Sequence, residues 1–335
     1  MAETEKLTGR LLGGIKKHAM QTFSFSAVVL LIIAFTVMND SFLNRANLSN
    51  LLSDTAPLLI MACGMTLVLL LGSVDLSVGA VCSVTNVLMV KIMTDTFVAT
   101  ENVVLSTVFA FVVSVIFGML AGLLLGIIHA RLKLPSFIAS LGMMSVWKSV
   151  ALVISPAPVA LPFKLYPAVN WFNISLGVVG LPVILAVIVI AIFYVVQSKT
   201  SFGKSLYAIG GNETAARMAG LNITRAKTLV FVLAGMCSAL GSVFLVAKLK
   251  SSAPTVGDPF TLMVIASVAL GGTALSGGKG SVLGTVLGVF MVSIIRNGMN
   301  FVGVDVFWQN IVFGIMVIAA VSITVDRSGR LIVVK

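Results

Sequence analysis

Charge is scarce in this chain of 335 residues. Asp, Glu, Lys and Arg make up 10% of it and hydrophobic residues 59%, whereas about 25% of an ordinary soluble domain is charged. Such a deficit leaves too little polar surface for a water-soluble fold and points to a polytopic membrane protein. Cysteine is rare as well. Cys63, Cys82 and Cys237 each sit inside an apolar run, without disulfide or metal spacing, and read as small buried residues. His18 and His129 are the only histidines, and both fall at the edge of an apolar run. No carboxylate pair lies inside such a run and no ligand spacing occurs, so no catalytic residue and no metal site is expected. The turn from Thr273 to Gly280 has the outline of a phosphate-binding loop and fails twice. Thr273 stands where the first glycine belongs, and Gly280 stands where a hydroxyl must reach magnesium. No soluble strand precedes it, so the chain by itself is not expected to hydrolyse ATP. Low-complexity tracts and a separate soluble domain are missing too, and residues 1–335 read as one domain.

What the chain does have is length in its apolar runs. About twenty apolar residues cross a bilayer, and ten runs approach that ruler: 22–38, 54–72, 77–94, 103–128, 135–154, 177–197, 227–247, 260–275, 280–298 and 306–325. The blocks 54–94 and 260–298 each exceed one span and are split at a Gly/Ser-rich kink. No small-residue cleavage site follows the first run, which therefore reads as an uncleaved helix. The fold expected is an all-α polytopic bundle of about ten transmembrane helices.

The net charge of +11 could suggest nucleic acid, but its distribution argues for topology instead. Lys6, Arg10, Lys16 and Lys17, then Arg131 and Lys133, then Lys279, then Arg327, Arg330 and Lys335 share one face if there are ten spans. By the positive-inside rule that face, with both termini, is cytoplasmic. Asp40, Asp54, Asp95, Glu101, Asp258 and Asp305 fall on the opposite face, with Arg45, Lys164, Lys248, Lys250 and Arg296 as exceptions. The longest loop on that outer face, 155–176, carries Pro156, Pro158, Pro162 and Pro167. Proline at this density excludes a regular helix, and the loop is either a docking platform or a passive cap.

The segment 199–227 is the feature that composition does not explain. It is polar, basic and helix-capable, with Lys199 and Lys204 towards one end and Arg217, Arg225 and Lys227 towards the other. Gly210-Gly211-Asn212 reads as a turn. Asn212 caps a short helix, Glu213 sits in its first turn, and Gly220 stops it. Ala215, Ala216 and Ala219 make this helix a small-sided knob. It is either an amphipathic loop helix lying on lipid, for which it has few large apolar residues, or a knob for a groove on a partner, which suits it better.

Two further patterns concern packing. Gly118, Gly122 and Gly126, and again Gly280, Gly284 and Gly288, recur every fourth residue and bare one helical stripe for close approach. Residues 71–79 align without gaps on residues 270–278, which is either an internal repeat or the chance likeness of small-residue turns. Inside the spans ionisable and amide groups are few, and such groups are candidates for the pathway. Those singled out are Asp75 in a kink, Asn86 in the third helix and Lys148 in the fifth, with Phe137 and Ser140 after Pro135. Asp75 could equally cap the third helix, Lys148 could snorkel, and Phe137 and Ser140 could simply pack. A proton- or sodium-driven carrier keeps charged relays at mid-membrane. Their scarcity implies an outside source of energy and a neutral polar ligand.

Several runs are similar to those of a known family: Gly72-Ser73-Val74-Asp75-Leu76-Ser77-Val78-Gly79, Leu134-Pro135-Ser136-Phe137-Ile138-Ala139-Ser140-Leu141-Gly142, Thr200-Ser201-Phe202-Gly203-Lys204, Ala208-Ile209-Gly210-Gly211-Asn212-Glu213-Thr214-Ala215-Ala216 with Gly220, and Leu270 through Ser281. Over nearly its whole length the chain resembles the permease subunits of bacterial ABC importers for monosaccharides, the ribose, xylose, galactose and autoinducer-2 group. Ser73 departs from the Gly or Ile usual near that place. The resemblance implies a multi-pass protein of the bacterial inner membrane that pairs with a second copy or a sister permease. It implies two cytoplasmic ABC ATPase subunits carrying ATP and Mg, a periplasmic sugar-binding protein, and no cofactor on this chain. In that picture 210–220 is the coupling helix, and Gly210, Gly211, Asn212, Glu213, Ala215, Ala216 and Gly220 form its contact. Lys248, Lys250 and Arg296 become candidates for docking an acidic binding protein. An ATP-independent carrier or facilitator is the alternative. A lipid-directed enzyme would need an acidic or histidine cluster that the sequence does not offer.

Overall fold

The computed structural model describes residues 25–324. Among these residues the chain is helical almost throughout. The long helices are α1 (Phe25–Met38), α2 (Arg45–Leu70), α3 (Val78–Thr100), α4 (Val103–Arg131), α5 (Ser136–Ile154), α7 (Leu181–Lys199), α10 (Ile223–Leu249), α11 (Asp258–Leu270), α12 (Val282–Phe301) and α13 (Val306–Thr324). Each of the ten apolar runs coincides with one of them. Seven are long and apolar enough to cross a membrane, while Phe25–Met38, Asp258–Leu270 and the apolar part of α13, Val306–Ala319, are shorter. The terminal charge clusters and His18 lie outside the described residues.

Helix ends depart from the apolar runs wherever a polar cap sets them. Asn44 accepts from the amide of Asn47 and starts α2 nine residues ahead of its apolar run. Asn222 does the same for α10 through the amide of Arg225. Satisfying one otherwise orphaned amide is worth about 1 kcal/mol, enough to carry a helix past the membrane-length stretch. Gly72 (φ +75°), Gly272 (φ +88°) and Gly303 (φ +78°) end α2, α11 and α12. In each case the next residue's amide bonds back five residues: Ser73 to Val68, Thr273 to Val268 and Val304 to Met299, at 2.9–3.2 Å. This is the glycine-dependent closure that satisfies the last carbonyls of a helix.

The bundle is built around α2 and α10, whose apolar stretches are 89% and 72% buried, while α4, α5 and α7 are 33%, 22% and 22% buried. The Gly118–Gly122–Gly126 stripe brings α4 against α10 as expected. A Cβ on Gly122 would lie 2.1 Å from the Phe231 carbonyl oxygen. The second glycine stripe is corrected. Gly284 and Gly288 do press α12 onto α11, but Gly280 (φ +144°) lies in the turn before the Ser281 cap. The two echoing turns share this closure, which α12 also uses at Gly303, in a register one residue away from the sequence alignment. Gly72 and Ser73 play the parts of Gly272 and Thr273, not of Gly271 and Gly272, because the positive-φ glycine and the back-bonding amide define the equivalence.

The proline-rich 155–176 loop has no regular long helix. It forms β1 (Val159–Ala160), the single turn α6 (Tyr166–Val169) and two 3-10 turns, and then leads into the hairpin of β2 (Ser175–Leu176) and β3 (Val179–Gly180). β1 pairs with β4 (Ser251–Ser252) just beyond α10. Trp171 stacks edge-on against Phe244 of α10, centroids 5.1 Å apart. The loop is thus clamped to the end of the bundle.

Candidate functional site

At one end of the bundle the 199–227 segment folds into α8 (Ser201–Gly211) and α9 (Glu213–Met218). Thr200 caps α8, and Asn212 caps α9 by accepting from the Ala215 amide at 3.0 Å. Gly220, at φ +82°, ends α9, and the Leu221 amide closes onto the Ala216 carbonyl. Two expectations are corrected. Gly210 and Gly211 do not form a positive-φ turn but are the last residues of α8. Ala216 is 4% exposed and belongs to the core, leaving Ala215, Met218 and Ala219 as the open face. Met218 stands 80% exposed. Glu213 bridges Arg217 and Lys227, each at 3.0 Å, which ties α9 to the second turn of α10.

The reason for Gly210 lies elsewhere in the chain. A Cβ there would fall 1.9 Å from the Leu70 carbonyl oxygen and 2.5 Å from the Gly278 nitrogen. That same carbonyl accepts from the Gly278 amide at 2.9 Å. The end of α8 therefore rests, backbone on backbone, on the two equivalent turns 71–77 and 271–281. Tyr207 of α8 donates to the Gly280 carbonyl at 2.7 Å. Gln197, at the end of α7, contacts the Tyr207 hydroxyl and accepts from the Val282 amide at 2.8 Å, capping α12 from outside. Burial pushes the Tyr207 phenol above its ordinary pKa, against a lowering by Gln197. His129 Nδ1 donates to the Leu134 carbonyl at 2.7 Å, so its Nε2 is left to accept from Ser73 Oγ at 3.3 Å. It joins the α4–α5 corner to the 71–77 turn. Sequence reasoning missed Tyr207, Gln197 and the role of His129. The one available signal was a lone amide, Gln197, closing an otherwise apolar helix.

The pathway candidates divide. Asp75 is 4% exposed, and its Oδ1 accepts from the Ser77 amide and hydroxyl at 2.7 and 2.6 Å. It thus makes a local turn ahead of α3 rather than bonding the helix's first amides. Asn86 is fully buried, accepts from the Ala253 amide at 3.1 Å and reaches the Ser242 carbonyl. Ser140 is buried beside the Val74 carbonyl. Phe137 is 47% exposed on α5, and Lys148 of the same helix pairs with Asp258 at 3.0 Å. None of the five lines the cavities found between α2, α10, α11 and α12, beside Trp171, or under the 172–175 segment.

At the opposite end, Lys248 pairs with Asp54 at 2.7 Å, and Lys250 lies 4.8 Å from the Tyr166 ring centroid. Arg296 faces a cavity of about 230 Å³ between α2, α10, α11 and α12, whose lining includes Asp54, Lys248, Phe260, Ser293 and Asn300. A second polar cavity, of about 370 Å³, lies under the 172–175 segment and shares Asp54 and Lys248 with the first. Among the described residues no group of His, Cys, Asp and Glu could hold a metal ion.

The comparisons with known proteins agree with this architecture. The ribose import permease protein RbsC of Bacillus subtilis (strain 168) is 36% identical, over 91% of this chain and 92% of its own length. Its namesake in Escherichia coli (strain K12) is 33% identical, over 92% and 94%. The D-allose transport system permease protein AlsC of Escherichia coli (strain K12) is 30% identical, over 90% of each. No solved structure matches. These relatives are permease proteins, and with seven helices fit to cross a bilayer the chain is a multi-pass membrane protein. The family described as branched-chain amino acid transport system / permease component matches residues 47–321, and this chain belongs to it.

Proposed function

We propose that this chain is the membrane-spanning subunit of an ATP-driven importer of a monosaccharide or similar small polyol across the bacterial inner membrane. The energy reaches it from separate cytoplasmic ABC ATPase subunits, which hold ATP and Mg, pressing on α8–α9. The observation that carries this reading is the seat of Gly210 on Leu70 and Gly278. A push on α9 reaches both helix-breaking turns through backbone contact, with no soft side chain between. The exposed Met218, Ala215 and Ala219 form the face an ATPase groove would take, and buried Ala216 anchors it. All ten helices then cross the membrane, the shorter ones included. Both termini, and residues 199–227 within the single 1–335 domain, lie in the cytoplasm.

A periplasmic sugar-binding protein docks at the other end, where Lys248, Lys250 and Arg296 sit beside the clamped 155–176 loop. A second copy or a sister permease meets the open face of α5, where Phe137 and Lys148 stand, and the solute passes between the two. Asp75, Asn86 and Ser140 act behind that face by fixing the turns and helices that move. Lipid covers the remaining apolar faces of α4 and α7. The relatives named for ribose and allose favour a sugar. The family's description names branched-chain amino acids, which makes a zwitterionic solute the second reading. The chain holds no cofactor of its own.

Proteoliposomes decide the matter. With the ATPase subunits, the binding protein and ATP, labelled monosaccharide accumulates. With this chain alone it does not. Accumulation by the lone chain would replace the proposal with an ATP-independent carrier, and accumulation of leucine but no sugar would replace the substrate.

A further inference from the structure

We propose that the cavity walled by Asp54, Lys248, Phe260, Ser293, Arg296 and Asn300 is a receiving site for a small polyhydroxylated solute. This deepens the importer reading above and rests on it. The size is suitable: sites for drug-sized ligands span roughly 300–1,000 Å³, and a five- or six-carbon polyol needs less, in keeping with about 230 Å³ here.

The chemistry is mixed in the way hydroxyl groups require. Arg296 makes no ion pair among the described residues. Its guanidinium contacts the Met263 sulfur at 3.7 Å and lies 6.0 Å from the Phe260 ring centroid. Its other donors meet no protein oxygen among the described residues and open on the cavity. Lys248 is neutralised by Asp54, which accepts through Oδ1 at 2.7 Å. The cavity thus offers cationic donors beside a carboxylate acceptor, with the Ser293 hydroxyl and an aromatic face for C–H groups. A free anion would meet Asp54 as well as Arg296, whereas a hydroxyl can accept from one and donate to the other.

The wall is also held in place. Asn47 and Asn297 exchange amide hydrogen bonds at 3.0 and 2.9 Å, locking α2 to α12 directly behind the cavity. Asn300 Oδ1 accepts from Gln309 of α13 at 2.7 Å. Groups fixed before the solute arrives lose less freedom on binding it. Asp54 and Lys248 line both this cavity and the second polar one. A solute that takes a hydrogen bond from Lys248 competes with Asp54 for it.

The test is protection of a reporter thiol in the full-length protein. Cys63, Cys82 and Cys237 are buried and give a quiet background. Asn300→Cys is reacted with a small charged thiosulfonate, with and without D-ribose, D-allose or D-fructose, and with L-leucine and sodium sulfate as controls. At a sugar concentration about ten times its Kd, labelling slows about tenfold. Arg296→Met abolishes the protection, while leucine and sulfate give none. Ser293→Cys is the second reporter, in case Asn300→Cys folds poorly. The proposal is overturned if no sugar protects either thiol, if neither thiol is reachable from water, or if sulfate alone protects. Uptake by the same preparation, reconstituted with its ATPase and binding protein, separates the two claims. Accumulation of sugar without protection removes the cavity and leaves the importer reading standing. Protection without ATP-dependent accumulation does the reverse.

Discussion

Gly210 and Gly211 are adjacent and chemically identical, and the fold uses them in opposite ways. A methyl group on Gly210 would strike the Leu70 carbonyl and the Gly278 amide, while one on Gly211 would meet nothing within 4 Å. Gly210→Ala is therefore expected to destabilise the protein by about 3 kcal/mol, the upper range for a forced extra group in a packed site. Gly211→Ala should stay within about 1 kcal/mol of the parent, on the stabilising side, because alanine favours the helix. Thermal unfolding in detergent, run on both, checks the contrast. If the pair seats the handle as argued, uptake falls with the first and not with the second. Asp75 gives a second contrast at this scale. Its Oδ1 receives both Ser77 bonds, and an asparagine oxygen can do the same without a charge to bury. Asp75→Asn should melt like the parent, whereas Asp75→Ala should lose about 1–2 kcal/mol, the usual cost of removing a turn-forming acceptor. None of this was legible from residue type. A glycine in a sequence signals freedom or closeness, and which of the two applies depends on what the rest of the chain brings next to it.

At the scale of elements, the short helix α9 was well marked. The asparagine cap, the acidic first turn and the closing Gly220 all act within one turn of chain, and local hydrogen bonds of this kind survive in any tertiary setting. Its attachment was not marked. Glu213 reads as a dipole partner, yet it also holds Lys227, whose side chain is 13% exposed, on the next helix. Glu213→Arg puts three cations together at that corner. The expected outcome is a loss of ATP-driven uptake of at least tenfold with insertion and expression retained, measured by transport in proteoliposomes beside a membrane-fraction blot. Unchanged uptake would detach α9 from the energy supply. Helix starts were misjudged for a related reason. Hydropathy finds the stretch that suits lipid, while Asn44 and Asn222 cap helices beyond it, where the apolar signal has ended.

For the molecule as a whole, burial separates a buried centre, α2 and α10, from helices that keep apolar faces outward, α4, α5 and α7. That inversion of a soluble protein's surface agrees with the scarcity of charge. The orientation proposed from the basic loops is checked by labelling Met218→Cys and Phe163→Cys in sealed vesicles. Both positions are about 80% exposed, at 80% and 82%. The first should react only from the cytoplasmic side and the second only from the periplasmic side; the reverse pattern would invert the topology. The sequence alone was enough for the helical membrane class, the ten apolar segments, the α4 glycine stripe and the short helix α9, because lipid thickness, helix period and capping act along a few neighbouring residues. Only the tertiary structure decided that Gly210 presses on turns some 140 and 68 positions away in the chain, that Ala216 faces inward, and that Asp54, Lys248 and Arg296 surround one cavity. Those are meetings of distant backbone and side chains, and in a bundle of apolar helices many partners would satisfy the same hydrophobic pattern. The choice among them rests on close packing and on a few buried polar pairs.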